Sequence, residues 1–218
     1  PDMDDLFQTP DAAISRHSKT MHLVPPSGKP LKYAFDGYVL NRVAHDEFLV
    51  ELAKKAGADF LIDSRVDKVV DNTVFLRNGE QYTARVIVDA GGHNGPLRRD
   101  YWTEKSVKIP VKFVLMEGDF GEAVELHFGS MAPGGYAWMF PKGSGANIGL
   151  GIQKSFAKKR NLNQYTEDFV SKYDGEITFN GAGSLPMSGT IKKFVKGNYV
   201  LVGDSAGMVL PSNGAGIT

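Results

Sequence analysis

The sequence predicts a mixed α/β chain in which part of an open α/β domain is joined to an antiparallel sheet. Three observations carry this expectation. A helical segment is followed by short strand-like runs that end at Asp89, four further runs fill residues 107–152, and a last strand, Tyr199–Val202, stops on Gly203-Asp204. The 218 residues are 42% hydrophobic and 11% aromatic, enough for a packed core and inconsistent with disorder. Basic and acidic side chains balance at 25 each, which argues against a sequence-blind polyanion binder, so no nucleic-acid partner is expected. No apolar run approaches the roughly 20 residues of a spanning helix. The absence of cysteine removes disulfides, thiolate metal sites and cysteine nucleophiles together and suits a reducing, cytoplasmic compartment.

Taken in order, residues 1–31 read as loop, because Pro10, Pro25, Pro26 and Pro30 interrupt them and apolar residues lack a period. From Asn41 the period turns helical: Phe48, Leu49, Leu52, Ala53 and Ala56 recur at three and four, and Gly57 is a stop signal. Strand-like runs follow at Asp59–Ile62, Arg65–Val70, Thr73–Arg77 and Gln81–Asp89, with Asn78-Gly79 as a hairpin turn. Residues 107–116, 123–129, 135–141 and 145–152 suggest an antiparallel meander, and Leu162, Tyr165, Phe169 and Tyr173 give a helix over 161–173 one apolar face. Extended stretches at 176–182 and 189–195 precede the last strand. The chain opens on proline and stops at Asn213-Gly214-Ala215-Gly216-Ile217-Thr218, where a helix would begin, so the expectation is an internal piece of a longer protein.

Three motifs bear on chemistry. In YVLVGDSAGMVLPSNGAGI (199–217), a strand ends at Gly203, and Asp204 presents a carboxylate where open α/β sheets bind ligands. After Pro211, Gly214-Ala215-Gly216-Ile217 resembles a helix start whose backbone N–H groups favour a phosphate or a developing oxyanion. In RVIVDAGGHNGPLRR (85–99), Asp89 precedes Gly91 and Gly92 in a turn that lets backbone approach a cofactor. Arg42 sits in the first helical turn, where a cation opposes the dipole, which points to an anionic partner; the plainer alternative is an i,i+4 pair with Asp46. Separately, Tyr136, Trp138 and Phe140 alternate along a strand and so share one face, fit either for sheet core or for lining an apolar cavity. The five histidines show no metal-ligand spacing, and no metal site is expected.

Arg42, the Asp89-Ala90-Gly91-Gly92 turn and the Gly203-Asp204 run, in this order, resemble cofactor fingerprints of FAD-dependent oxidoreductases with the p-hydroxybenzoate hydroxylase fold. Within that group PGGYAWMFPKGSGANIGLGI (133–152) is similar to the geranylgeranyl reductase family, including the digeranylgeranylglycerophospholipid reductases. The resemblance implies part of an FAD-binding Rossmann-like domain (residues 1–100 and 196–218) and an antiparallel-sheet substrate domain (101–195). It implies Arg42 near the FAD pyrophosphate, backbone near Val66 at the adenine, Asp204 at the ribityl–phosphate region, and Gly216 and Ile217 N–H groups toward the flavin. It also implies Tyr136, Trp138 and Phe140 beside an isoprenoid chain whose C=C bonds are reduced. The electron donor, NADPH, NADH or ferredoxin, is left open, and peripheral contact with a membrane is expected of an enzyme of prenyl lipids. The GxGxxG segment that would hold the ADP half is absent from these residues. The alternatives are a flavin-dependent monooxygenase or halogenase of the same superfamily and a non-catalytic lipid-binding relative.

Overall fold

The computed structural model describes residues 7–157 and 160–216. They form two compact units: one takes the residues up to Gly57 with Ile109–Ser184, the other Ala58–Lys108 with the residues from Leu185 on.

The first unit is built on a seven-stranded sheet in the order β11-β7-β10-β9-β8-β1-β2. Its strands are β1 (Ile14–Val24), β2 (Leu31–Leu40), β7 (Lys108–Glu117), β8 (Val124–His127), β9 (Ala137–Lys142), β10 (Gly145–Gly151) and β11 (Glu176–Pro186). β1 pairs antiparallel with β2 and parallel with β8, which corrects two expectations. Residues 14–24 are strand rather than loop, and residues 14–40 pack with the antiparallel sheet rather than with the Asp89 region. The alternation was hidden because β1 carries polar and apolar residues on both faces, Met21 and Leu23 on one and His22 and Val24 on the other. Nor is the centre a simple meander: β8, β9 and β10 follow in antiparallel order, but β7 pairs with β10. Glycine permits that approach, since a Cβ on Gly145 would lie 1.9 Å from the Met116 carbonyl oxygen.

One face of this sheet is covered by α3 (Leu162–Val170), where the sequence expects a helix. Asn161 accepts from the Gln164 N–H while the Gln164 side chain accepts from the Asn161 N–H, a reciprocal cap. The helix buries Tyr165, Phe169 and Val170 against Val114, Met116, Met139, Ile148 and Leu150. Full burial of a side chain such as Phe169 stabilises by about 1.5–3 kcal/mol. A polar group closes this side: Glu125 receives His127 Nε2 at 2.9 Å, His22 Nδ1 at 3.3 Å and the Tyr173 hydroxyl at 3.3 Å. The hydrogen bond from His127, opposed by burial and helped by His22 and Tyr173, holds the Glu125 carboxyl below its usual range. Burial, then the Glu125 charge, pushes the Tyr173 phenol far up. α1 (Arg42–Lys55) also belongs to this unit, its last turn carrying Lys54 and Lys55 before Gly57 at φ +90°.

The second unit holds two three-stranded sheets, β12-β13-β6 and β3-β4-β5. Here β3 is Val66–Val70, β4 Thr73–Leu76, β5 Gln81–Thr83, β6 Ile87–Asp89, β12 Val195–Lys196 and β13 Tyr199–Leu201, with α2 spanning Pro96–Tyr101. The run 81–89 therefore divides between two sheets, and residues 59–62, expected as strand, form none. Leu61 and Ile62 are exposed there, and Asp63 takes φ +56°. β6 and β13 run parallel over a core of Val69, Ile87, Leu97, Trp102, Tyr199 and Leu201.

Candidate functional site

Parallel pairing brings the carboxyl ends of β6 and β13 side by side, so the turns after Asp89 and after Leu201 meet, the position at which open α/β sheets bind ligands. Asp89 itself does not face that opening. Only 5% exposed, it accepts from Gly91 N at 2.8 Å, Arg98 N at 3.1 Å and Ser205 Oγ at 3.0 Å. Ser205 Oγ also lies 2.6 Å from the Gly92 carbonyl, so its single proton is shared between the two acceptors. The carboxylate thus caps the start of α2 and clasps the two turns together. Gly95 is required beside it, because a Cβ there would come within 2.1 Å of Asp89 Oδ1. Gly91 and Gly92 lie at this clasp, Gly92 with φ +76°.

Gly203 takes φ +57° and has open space where a Cβ would be, so its requirement is the left-handed backbone and not crowding. That turn presents Asp204, half-buried. Among the described residues no hydrogen bond to its carboxylate is found. Burial first and the Lys108 charge next hold the neighbouring His93 imidazole below its ordinary range, while Asp204 pulls the other way.

The segment from Pro211 to Gly216 is a closed loop and not a helix start over its described residues. Gly214 N donates to the Leu210 carbonyl at 2.8 Å, and Ala215 N donates to Asn213 Oδ1 at 3.0 Å, so both are spent within the loop. Gly216 N has no partner among the described residues, and a Cβ on Gly216 would stand 3.8 Å from Asp204 Oδ1. An open carboxylate, a free N–H and a bare glycine thus come together, a cradle that fits the hydroxylated chain and polar ring edge of a flavin. Ile217 lies outside the described residues. Val66 belongs to β3 and packs on the same unit's core. Arg42 is in the first unit and forms the i,i+4 pair with Asp46, Nε to Oδ1 and Nη2 to Oδ2 at 3.2 Å each, both side chains exposed.

In the first unit, β9 alternates buried and half-buried residues: Ala137, Met139 and Pro141 enter the helix-covered core, while Trp138 and Phe140 occupy the other face. Tyr136 and Trp138 lie 6.0 Å apart and Trp138 and Phe140 stack at 6.2 Å, so the three aromatics do share a face and it is not the α3 core. Burial raises the Tyr136 phenol pKa. Trp138 Nε1 donates to Asn147 Oδ1 at 2.7 Å. Gly149 lets the Trp138 ring and Phe113 pack onto β10, since a Cβ there would lie 2.5 Å from each. Phe113–Phe179 and Phe128–Tyr136 pairs extend the aromatic surface. The sequence reading missed these members, although Ile109, Val111, Phe113 and Leu115 alternate on β7. Met139 belongs to the helix-covered core, and Met131 packs against it.

Comparison with known proteins bears on both regions. A family model described as the geranylgeranyl reductase catalytic domain matches residues 107–182. Digeranylgeranylglycerophospholipid reductase 3 of Methanosphaera stadtmanae is 30% identical, covering 96% of this chain and 59% of that protein. Digeranylgeranylglycerophospholipid reductase 1 of Methanococcoides burtonii is 33% identical, covering 90% and 54%. The chain thus spans somewhat over half the length of these curated relatives. Among solved structures, a geranylgeranyl bacteriochlorophyll reductase-like protein of Thermoplasma acidophilum superposes with a TM-score of 0.89 at 26% identity, over 99% of this chain and 62% of the other. A flavin-dependent halogenase from Brevundimonas reaches 0.66 at 16% identity, over 84% and 40%, and shares the fold alone.

Proposed function

Because the chain belongs to the geranylgeranyl reductase family, we propose that it is the central part of an FAD-dependent oxidoreductase that reduces C=C bonds of an isoprenoid chain carried by a lipid or prenyl precursor. The observation that carries the reading is the half-exposed ladder Tyr136–Trp138–Phe140 on the sheet face opposite the helix-covered core. A surface of aromatic rings binds an extended hydrocarbon by dispersion and by exclusion of water, and holds it still for reaction. FAD, when bound and reduced, would supply the hydride for one carbon of the double bond, and a proton from an acid would complete the other. Asp204 would accept hydrogen bonds from the hydroxyls of the cofactor's ribityl chain. The free Gly216 N–H would meet the flavin ring edge, where a backbone donor favours negative charge. Arg42 would exchange its exposed partner Asp46 for the pyrophosphate. Asp89, with Gly91 and Gly92, positions the Asp204 turn and touches no ligand.

The test is the visible spectrum of the full-length protein. Flavin bands near about 370 and 450 nm, released as FAD on denaturation, support the reading. A colourless protein that takes up no added FAD overturns it and leaves the aromatic face to a non-catalytic lipid binder. The shared fold with halogenases keeps a second reading in view, an oxygen-activating flavoenzyme. Turnover that requires oxygen would select it.

A further inference from the structure

We propose, resting on the isoprenoid reading above, that Asn147 is a positioning residue: its side-chain carbonyl fixes the plane of the Trp138 indole and so the lie of the chain along the ladder. Alternation along β10 sends Ala146, Ile148 and Leu150 into the helix-covered core and leaves Gly145, Asn147, Gly149 and Gly151 on the aromatic face. Asn147 thus stands in a row of glycines. Its cross-strand neighbours are Phe140 on β9 and Leu115 on β7, both apolar. A half-buried amide between them costs desolvation unless it is used. Its use is the 2.7 Å hydrogen bond from Trp138 Nε1 to Asn147 Oδ1. An indole N–H only donates, so the amide is held oxygen-first toward the ring and cannot turn over without losing the bond.

The anchor is stiff. Asn147 lies mid-strand with a paired strand on each side, and its chain neighbours Ala146 and Ile148 are 2% and 0% exposed. Trp138 has two further constraints, the bare Gly149 beneath it and the stack with Phe140 at an interplanar angle of 27°. Packing sets the depth of the ring, whereas the hydrogen bond is directional and sets its rotation. Tyr136 meets the same ring edge-on at 61°, so a turned indole disturbs both neighbours in the ladder. Dispersion holds a chain on aromatic rings whatever their tilt, but the reacting carbons tolerate little misplacement. Loss of Asn147 therefore acts on rate more than on affinity.

The full-length protein with FAD, reduced and kept anaerobic, is titrated with geranylgeraniol, and flavin reoxidation gives a limiting rate and a half-saturating concentration. Asn147→Leu, of similar volume, lowers the limiting rate about tenfold, the equivalent of one hydrogen bond, while half-saturation stays within about twofold of the parent. Its melting temperature is unchanged. Asn147→Gln, which keeps the acceptor, restores most of the rate. In a Trp138→Phe background, which lacks the indole donor, Asn147→Leu changes nothing further. Four results overturn the proposal: a parental rate in Asn147→Leu, a rate loss that tracks a lowered melting temperature, no rescue by glutamine, or a loss that adds to that of Trp138→Phe. A parent that holds no flavin, or whose reduced flavin ignores geranylgeraniol, overturns the isoprenoid reading as well, so the two failures are distinguishable.

Discussion

Replacing Asp89 separates a clasp from a ligand contact. In Asp89→Ala the N–H groups of Gly91 and Arg98 lose a common acceptor, while the Ser205 hydroxyl keeps the Gly92 carbonyl. Hydrogen bonds to a charged group contribute about 1.5–3 kcal/mol each, and after relaxation and water entry a net loss of about 3 kcal/mol is expected for the two. That is a large share of a domain's usual stability of about 5–15 kcal/mol. With a urea dependence of about 2 kcal/mol per molar, the midpoint of the second unit's unfolding falls by about 1.5 M. The assay is urea unfolding followed by Trp102 emission in a Trp138→Phe background. Asp89→Asn, which keeps one oxygen for Gly91 and Ser205 but sets an amide donor against Arg98 N–H, falls about halfway. Asp89→Asn also retains flavin. A shift below about 0.5 M for Asp89→Ala, together with loss of flavin from a folded protein, would refute the clasp.

Three further outcomes follow from the same geometry. Glu125 has its folded pKa below the ordinary 4.5, so its contribution is present above that value and lost as pH falls through the folded one. Glu125→Gln should flatten the stability–pH curve on the acid side of pH 4.5, and an unchanged slope in acid denaturation contradicts this. Gly149→Val drives a Cβ into the Trp138 ring and Phe113, and overpacking of this kind costs about 1–3 kcal/mol, read as a lowered melting temperature with altered Trp138 emission. Arg42→Gln removes only an exposed pair, so stability changes by less than about 0.5 kcal/mol. FAD retention should nevertheless fall severalfold in equilibrium dialysis, and unchanged retention removes Arg42 from the cofactor site.

Local signals were legible and distant ones were not. The period of Tyr165 and Phe169, the Asn78-Gly79 turn and the stop at Gly57 act over a few residues, and each appears where expected. The aromatic alternation of 136–140 likewise fixes a shared face. β1 escaped notice because both its faces are mixed in polarity, which hides even its hairpin with β2, and its other partner β8 lies about a hundred residues away. For the same reason Asp89 read as a ligand residue: its engagement depends on Ser205, 116 residues later. Gly214 and Ala215 resemble a helix start in composition, but Leu210 and Asn213 take their N–H groups.

The central claim is tested most directly by anaerobic reoxidation of the reduced full-length protein. Flavin bleached by a chemical reductant should regain its absorbance near about 450 nm on addition of a geranylgeranylated lipid, with a saturated prenyl product, and far more slowly in Trp138→Ala. Absorbance that stays bleached until oxygen is admitted, with the lipid unreduced, contradicts the account.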